Sequence, residues 1–82
     1  MIASAQISVY PLRQERLGPA IATVQATLEA SGLAPEVGPM STRVVGESAA
    51  IFAALADAFD KASDAGETVM VITVSNACPI PG

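Results

Sequence analysis

In the segment Ile2 to Tyr10, near the start of the 82-residue chain, apolar and polar side chains alternate strictly from Ala3 onward. Such period-two alternation is typical of a β-strand that buries one face and leaves the other open. The residues expected on the open face are Ser4, Gln6, Ser8 and Tyr10. Near the other end, Thr68 to Ser75 is a run rich in β-branched residues and predicts a second long strand. The fold must therefore accommodate one strand near each end of the sequence.

Two segments between these strands have helical spacing. In the first, Leu17, Ile21, Val24 and Leu28 recur at intervals of four, three and four residues. Gly18 and Pro19 suit its start, and Ser31-Gly32 suits its end. The second helix is predicted to have Ser48 as its N-cap and to end at Gly66. The residues expected on its apolar face are Ile51, Phe52, Leu55, Phe59 and Ala62.

Two short strands are predicted between the helices. Leu33 to Val37 contains Pro35, which favours an edge position, and Thr42 to Glu47 follows the break at Gly38-Pro39. The order strand, helix, strand, strand, helix, strand is that of the α+β, ferredoxin-like fold. It predicts one domain over residues 1–82, in which a four-stranded antiparallel sheet carries both helices on one face. Residues 77–82 are expected to form an irregular tail.

The register of the last strand decides which of its side chains share the open face of the sheet. We expect Met70, Ile72 and Val74 to face the helices, because this groups the hydroxyls of the last strand with the polar residues of the first. The residues left on the open face are then Val69, Val71, Thr73 and Ser75.

The composition excludes several classes of function. The chain has no His and one cysteine, Cys78, so it offers no His-based catalytic triad and no internal disulfide, and we expect neither a catalytic nor a metal site. Four basic residues against eight acidic ones argue against nucleic acid as a partner. No run of about 18 apolar residues predicts a membrane span. Without a recognisable secretion signal, a cytoplasmic location is expected.

Binding of a small molecule remains compatible with the residues. The candidate hydrogen-bonding side chains are small and uncharged, and they are Gln6, Ser8, Ser41, Thr42, Thr73 and Ser75. A polar row on a strand commonly only faces water. A water-facing row usually contains Lys, Glu and Arg, whereas this one is interleaved with valines, and glycines nearby allow close approach of the backbone. The same face could instead pack against the sheet of another subunit, and the two uses are compatible.

Three segments together resemble the small thiamine-binding protein family. They are Ile7 to Leu12, Val37 to Thr42 followed by Val45-Gly46-Glu47, and Val71 to Asn76, and the Gly-Pro-Met-Ser-Thr piece is the most specific. The resemblance implies a ferredoxin-like fold, homo-oligomers (dimers or tetramers) that pack their open sheet faces, and binding without catalysis. It implies thiamine or its hydroxymethylpyrimidine moiety as the ligand, with no other cofactor, and a role in salvage or transport.

The site expected from this resemblance combines two sets of residues. The positions that match the family's segments are Ser8, Tyr10, Met40, Ser41 and Thr42. The positions added from the strand pattern are Gln6, Thr73, Ser75 and Asn76. Side-chain hydroxyls and an amide suit the edge of an aminopyrimidine, and Tyr10 could stack on its ring. Glu47 is a candidate carboxylate for the thiazolium cation.

Two other functions fit the same residues. The chain could be an interaction module that only assembles subunits through its open sheet face, or a regulatory domain for another small metabolite such as an amino acid. Stabilisation of the folded chain by a ligand would distinguish a binding protein from a module that only assembles subunits. A panel of ligands would distinguish a thiamine-binding protein from a regulatory domain for another metabolite.

Overall fold

The computed structural model describes residues 1–12, 18–38, 41–64 and 66–77, which form four strands and two helices. The elements in chain order are β1 (Ile2–Pro11), α1 (Gly18–Ala30), β2 (Glu36–Val37), β3 (Thr42–Glu47), α2 (Ser48–Ser63) and β4 (Thr68–Ser75). The strands form one sheet in the order β2-β3-β1-β4, and every pairing is antiparallel. The predicted ferredoxin-like α+β fold is confirmed.

Strand β1 is central, and its alternation sets the two faces of the sheet. Ala5 pairs with Val44 on β3 and with Val74 on β4, and these side chains belong to or pack against the core between sheet and helices. Gln6 pairs with Arg43 and with Thr73, so these three form a row across the opposite, open face. The preferred register of the last strand is therefore confirmed.

The buried face of α2 differs from the prediction. Ile51, Leu55 and Ala62 are buried as expected, but Ala54 and Ala58 complete that face, while Phe52 and Phe59 are exposed. Because alanine side chains are small, they let the helix approach its neighbours closely. The larger rings of Phe52 and Phe59 lie outside the buried face. The prediction of Ser48 as N-cap is also wrong: the helix begins at Ser48, and the N-cap is Glu47, whose side chain makes no capping hydrogen bond.

Helix α1 and strand β2 each differ in part from expectation. In α1, Val24 and Leu28 are buried, but Ile21 is 36% exposed and Thr27 is buried in its place. The Thr27 hydroxyl donates a hydrogen bond to the Thr23 carbonyl (2.8 Å), so its burial leaves no unpaired donor. Strand β2 contains only Glu36–Val37, at the edge of the sheet as predicted, because Leu33 turns into the core instead of extending the strand.

Gly46 is a position of close approach between β3 and the core. The pairing of Gly46 with Ala3 keeps the regular register, so no bulge is present there. A Cβ atom at Gly46 would lie 2.9 Å from Leu33 Cδ2, which is too close for an undisturbed contact. The glycine therefore allows Leu33 to fill the core under this part of the sheet.

Candidate functional site

Gln6 and Ser41 meet at one end of the open sheet face. The Gln6 amide donates a hydrogen bond from Nε2 to Ser41 Oγ (3.1 Å), although the two residues are 35 positions apart. Ser41 is held in place by the hairpin between β2 and β3, where the Gly38 N–H donates to the Ser41 carbonyl (2.8 Å). An open cavity of about 580 Å³ lies here. Its described lining residues are Gln6, Glu36, Val37, Gly38, Ser41 and Arg43.

A charged pair forms one wall of this cavity. Arg43 donates a hydrogen bond from its guanidinium to a carboxylate oxygen of Glu36 (2.8 Å), next to the uncharged Gln6. Strand pairing explains the contact, since Glu36 is opposite Arg43 and Arg43 is opposite Gln6. Neither charged residue is among the site residues predicted from the sequence. The alternation within Thr42–Glu47 could have placed Arg43 on the open face, because Thr42 and Val44 face the core.

Ser41 and Thr42 face opposite sides of the sheet. Thr42 is only 7% exposed and pairs with Ile7, a core residue, so its side chain lies on the helix side. It lines a smaller cavity of about 140 Å³ together with Ile21 and Gln25 of α1. Val37, Gly38 and Ser41 border both cavities. Of the two adjacent hydroxyl residues, only Ser41 therefore lines the larger cavity.

The other sequence-predicted residues on β1 and β4 spread along the open face. Thr73 is directly opposite Gln6, and Ser8 is the next residue on the same face of β1. Tyr10 is four residues beyond Gln6, a separation of about 13 Å along a strand. A ligand ring that contacts Gln6 and Ser41 would therefore lie too far from the backbone of Tyr10 for direct contact with it. Met40 lies outside the described residues, so its place relative to the cavity is not part of this geometry.

Ser75 and Asn76 belong to a different end of the sheet. Ser75 pairs with Ser4, and its hydroxyl accepts a hydrogen bond from the Ala77 N–H (3.0 Å). Asn76 Nδ2 donates to the sulfur of Met1 (3.3 Å). The structure thus brings Gln6 and Ser41 together, with Thr73 opposite Gln6 on β4, and it places Ser75 and Asn76 away from the cavity.

The carboxylate that lines the cavity is that of Glu36, and not that of Glu47, the carboxylate predicted from the sequence for a thiazolium cation. Glu47 accepts a hydrogen bond from the amino group of Met1 (2.6 Å) at the far end of β3. It is five residues from Thr42, which corresponds to about 17 Å along the strand. Glu36 lines the cavity itself, so a cationic ligand group there would face Glu36.

The described residues offer no evident metal site or membrane span. No three His, Cys, Asp or Glu side chains in the described ranges are grouped so that they could hold a metal ion. Neither described helix has the length and apolar character needed to cross a bilayer.

Several solved structures share this fold. A Streptococcus pneumoniae protein is 26% identical, with a TM-score of 0.86 over 98% of this chain and 90% of its own. A Thermotoga maritima protein provisionally assigned to thiamine biosynthesis or salvage is 23% identical, with a TM-score of 0.82 over 92% of this chain and 83% of its own. A domain of unknown function from Bacillus cereus is 23% identical, with a TM-score of 0.80 over 92% of this chain and 75% of its own.

Sequence comparison adds two findings. No curated protein matches this chain significantly. A family model described as thiamine-binding protein matches residues 5–77, which include every described strand and helix in whole or in large part.

Proposed function

Because this chain belongs to the thiamine-binding protein family, we propose that it binds thiamine or its hydroxymethylpyrimidine moiety without catalysis, in salvage or transport of that compound. The observation that carries the proposal is the cavity in which the Gln6 amide and the Ser41 hydroxyl converge, 3.1 Å apart, beside an ion pair. Its volume of about 580 Å³ is within the usual range of small-molecule sites. The similar Thermotoga maritima protein, with its provisional link to thiamine, is consistent with this assignment.

The chemistry of Gln6 and Ser41 suits an aminopyrimidine. The ring presents nitrogen acceptors and an exocyclic amino donor, and a Gln amide and a Ser hydroxyl can each donate and accept hydrogen bonds. In the free protein these two groups bond each other, so each already lies in hydrogen-bonding geometry for a polar partner. We propose that the pyrimidine edge inserts at this pair, with Thr73 on the neighbouring strand as an additional contact.

The ion pair supplies charges that suit the other parts of the ligand. The Glu36 carboxylate would attract the positively charged thiazolium ring of thiamine. The Arg43 guanidinium would suit the phosphate group of thiamine phosphate, since it can form two parallel hydrogen bonds to phosphate oxygens. Hydroxymethylpyrimidine has neither group, so its binding would depend on the uncharged residues alone.

We also propose that the protein works as a homo-oligomer. The open face carries exposed apolar side chains, among them Val45, Val69 and Val71, which would be covered if two such faces packed together. Such packing would let Tyr10 of one copy approach a ligand in the cavity of another. Ser8 and Tyr10 would then contribute to binding from across the interface.

Titration calorimetry with thiamine and with hydroxymethylpyrimidine tests this assignment, and Glu36→Gln sharpens the test. We expect this variant to weaken thiamine binding by about 1.4- to 5-fold, because an exposed ion-pair interaction contributes about 0.2–1 kcal/mol. Its affinity for hydroxymethylpyrimidine should stay within the error of the measurement, because that ligand has no positive charge.

Glu47→Gln is the matched control, since it makes the same chemical change at the far end of β3. It should leave both affinities unchanged. Equal losses for both ligands in Glu36→Gln would argue against the proposed role of the carboxylate. Absence of binding of either ligand to the unmodified protein would reject the function itself.

A further inference from the structure

The smaller of the two cavities, about 140 Å³ in volume, lies on the helix side of the sheet, between α1 and the start of β3. A site for a whole small molecule usually has about 300–1,000 Å³, so this helix-side cavity has room for only one part of a ligand. The side chains that line it carry no charge, and those used below are Ile7, Val9, Ile21, Gln25 and Thr42. Its walls are therefore neutral and mostly aliphatic.

Thr42 places a polar group at a position of β3 that faces the core. The next inward residue on the strand, Val44, is buried as expected for such a position. Thr42 is only 7% exposed, and its hydroxyl makes no hydrogen bond to another described residue. No side-chain oxygen or nitrogen in the described ranges is both enclosed and unpaired, so this hydroxyl must open into the cavity that it lines. An apolar side chain would suit the position better in the free protein, and the hydroxyl therefore indicates a polar partner from outside the chain.

Helix α1 completes the helix-side cavity with Ile21 and Gln25, which are one turn apart on the same face of the helix. The helical periodicity predicts Ile21 in the core, and its position at the cavity accounts for its 36% exposure. The Gln25 side chain is half-buried, and its amide can donate and accept hydrogen bonds. The cavity thus combines aliphatic walls with two neutral hydrogen-bonding groups.

The helix-side cavity adjoins the larger cavity at the hairpin between β2 and β3, where Val37, Gly38 and Ser41 border both. The charges are divided unequally between the two cavities. Glu36 and Arg43 line the larger one, whereas the described lining of the helix-side cavity is neutral. A ligand placed over this hairpin can therefore keep its charged part on the open face and insert a neutral part on the helix side.

We propose that the helix-side cavity holds the methyl-bearing edge of the pyrimidine ring, with the Thr42 hydroxyl donating a hydrogen bond to a ring nitrogen. This subsite rests on the proposed function and assigns the orientation of the ligand. In thiamine and in hydroxymethylpyrimidine, the methyl group is on the carbon between the two ring nitrogens, so an apolar group lies next to a hydrogen-bond acceptor. The other ring nitrogen and the exocyclic amine then face Gln6 and Ser41. A thiazolium or phosphate group remains on the open face with Glu36 and Arg43.

Titration calorimetry with hydroxymethylpyrimidine and with the analogue that lacks only the ring methyl group tests the apolar part of the proposal. We expect the unmodified protein to bind the methylated compound about fourfold more tightly, the ratio expected from burial of one group of this size. Ile21→Phe enlarges a side chain at the cavity and should abolish this preference. Ala22→Phe, at the adjacent exposed position of α1 outside the cavity, is the control and should keep it.

The results of this comparison separate the subsite from the proposed function. Equal affinities of the two compounds for the unmodified protein would overturn the subsite and leave the function standing, since both compounds would still bind. A preference that survives in Ile21→Phe would also overturn it, because the methyl group would then be recognised elsewhere. If neither compound binds, the function is rejected and the subsite with it.

Thr42→Val tests the hydrogen bond, because it removes the hydroxyl and keeps the shape of the side chain. We expect it to weaken binding of hydroxymethylpyrimidine by about 2- to 13-fold without lowering the Tm of the free protein. Thr27→Val is the matched control, since it makes the same change at a buried threonine outside both cavities, and it should leave the affinity within twofold. Full affinity in Thr42→Val, or an equal loss in Thr27→Val, would overturn the proposal.

Discussion

Replacing Gln6 and Ser41 together with alanine is expected to weaken binding of hydroxymethylpyrimidine by about 5- to 150-fold, measured by titration calorimetry. The reason is that each side chain contributes about 0.5–1.5 kcal/mol through a directional hydrogen bond, and both are lost. The fold should persist, because Gln6 is exposed and Ser41 is only half-buried, outside the core. Circular dichroism should therefore be unchanged in the double variant.

Ser4→Ala is the control for this experiment. Ser4 is on the same strand and the same face as Gln6, but its hydroxyl contacts the Ser75 carbonyl (3.5 Å) instead of the cavity. Its affinity should stay within twofold of the unmodified protein. If the double variant keeps full affinity, or if Ser4→Ala loses as much, the ligand does not bind at the Gln6–Ser41 pair.

Replacing Ile51 with alanine is expected to lower the free energy of unfolding by about 2–5 kcal/mol, which includes the cost of the cavity left in the core. Ile51 is completely buried (0% exposed), whereas its neighbour Phe52 is 56% exposed. Phe52→Ala should therefore cost less than about 1 kcal/mol although it removes the larger side chain, since surface substitutions are usually mild. Urea denaturation of both variants measures the difference.

This pair of variants distinguishes the structure from the hydrophobic pattern. The pattern assigns Ile51 and Phe52 to the same apolar face of α2, so it predicts a large loss for both. A loss in Phe52→Ala equal to that in Ile51→Ala would mean that Phe52 is covered in the folded protein. It would then have to be buried against the core or in a subunit contact, and dilution would separate the two cases.

Three of the four strands were predictable from sequence because alternation is a direct consequence of strand geometry, whereas β2 is shorter than the predicted Leu33–Val37. The predicted limits Thr42–Glu47 and Thr68–Ser75 coincide with β3 and β4, and the predicted Ile2–Tyr10 differs from β1 by one residue. The helical face was harder to predict, because alanine is compatible with either side of a helix. In α2 the pattern therefore favoured the phenylalanines over Ala54 and Ala58, which are the residues that pack in the core.

The candidate site was only partly predictable, because it depends on contacts between distant segments. The pattern selected Gln6 and Ser41 separately, but their hydrogen bond requires the pairing of β1 with β3. Glu36 was missed because nothing in its immediate sequence connects it to Gln6, and the link exists only through Arg43. Adjacent residues such as Ser41 and Thr42 look equivalent in sequence, yet alternation sends them to opposite sides of the sheet.

Thermal unfolding with and without thiamine, thiamine phosphate and hydroxymethylpyrimidine tests the central claim most directly. A ligand that binds only the folded protein stabilises it by about 2.7 kcal/mol at 100 times its Kd. For a domain of this size that corresponds to a rise in Tm of about 10–20 °C. We predict a saturable rise with at least one of the three compounds. No rise with any of them, in a protein that remains folded and associated, would contradict the account and leave the open sheet face as an assembly surface.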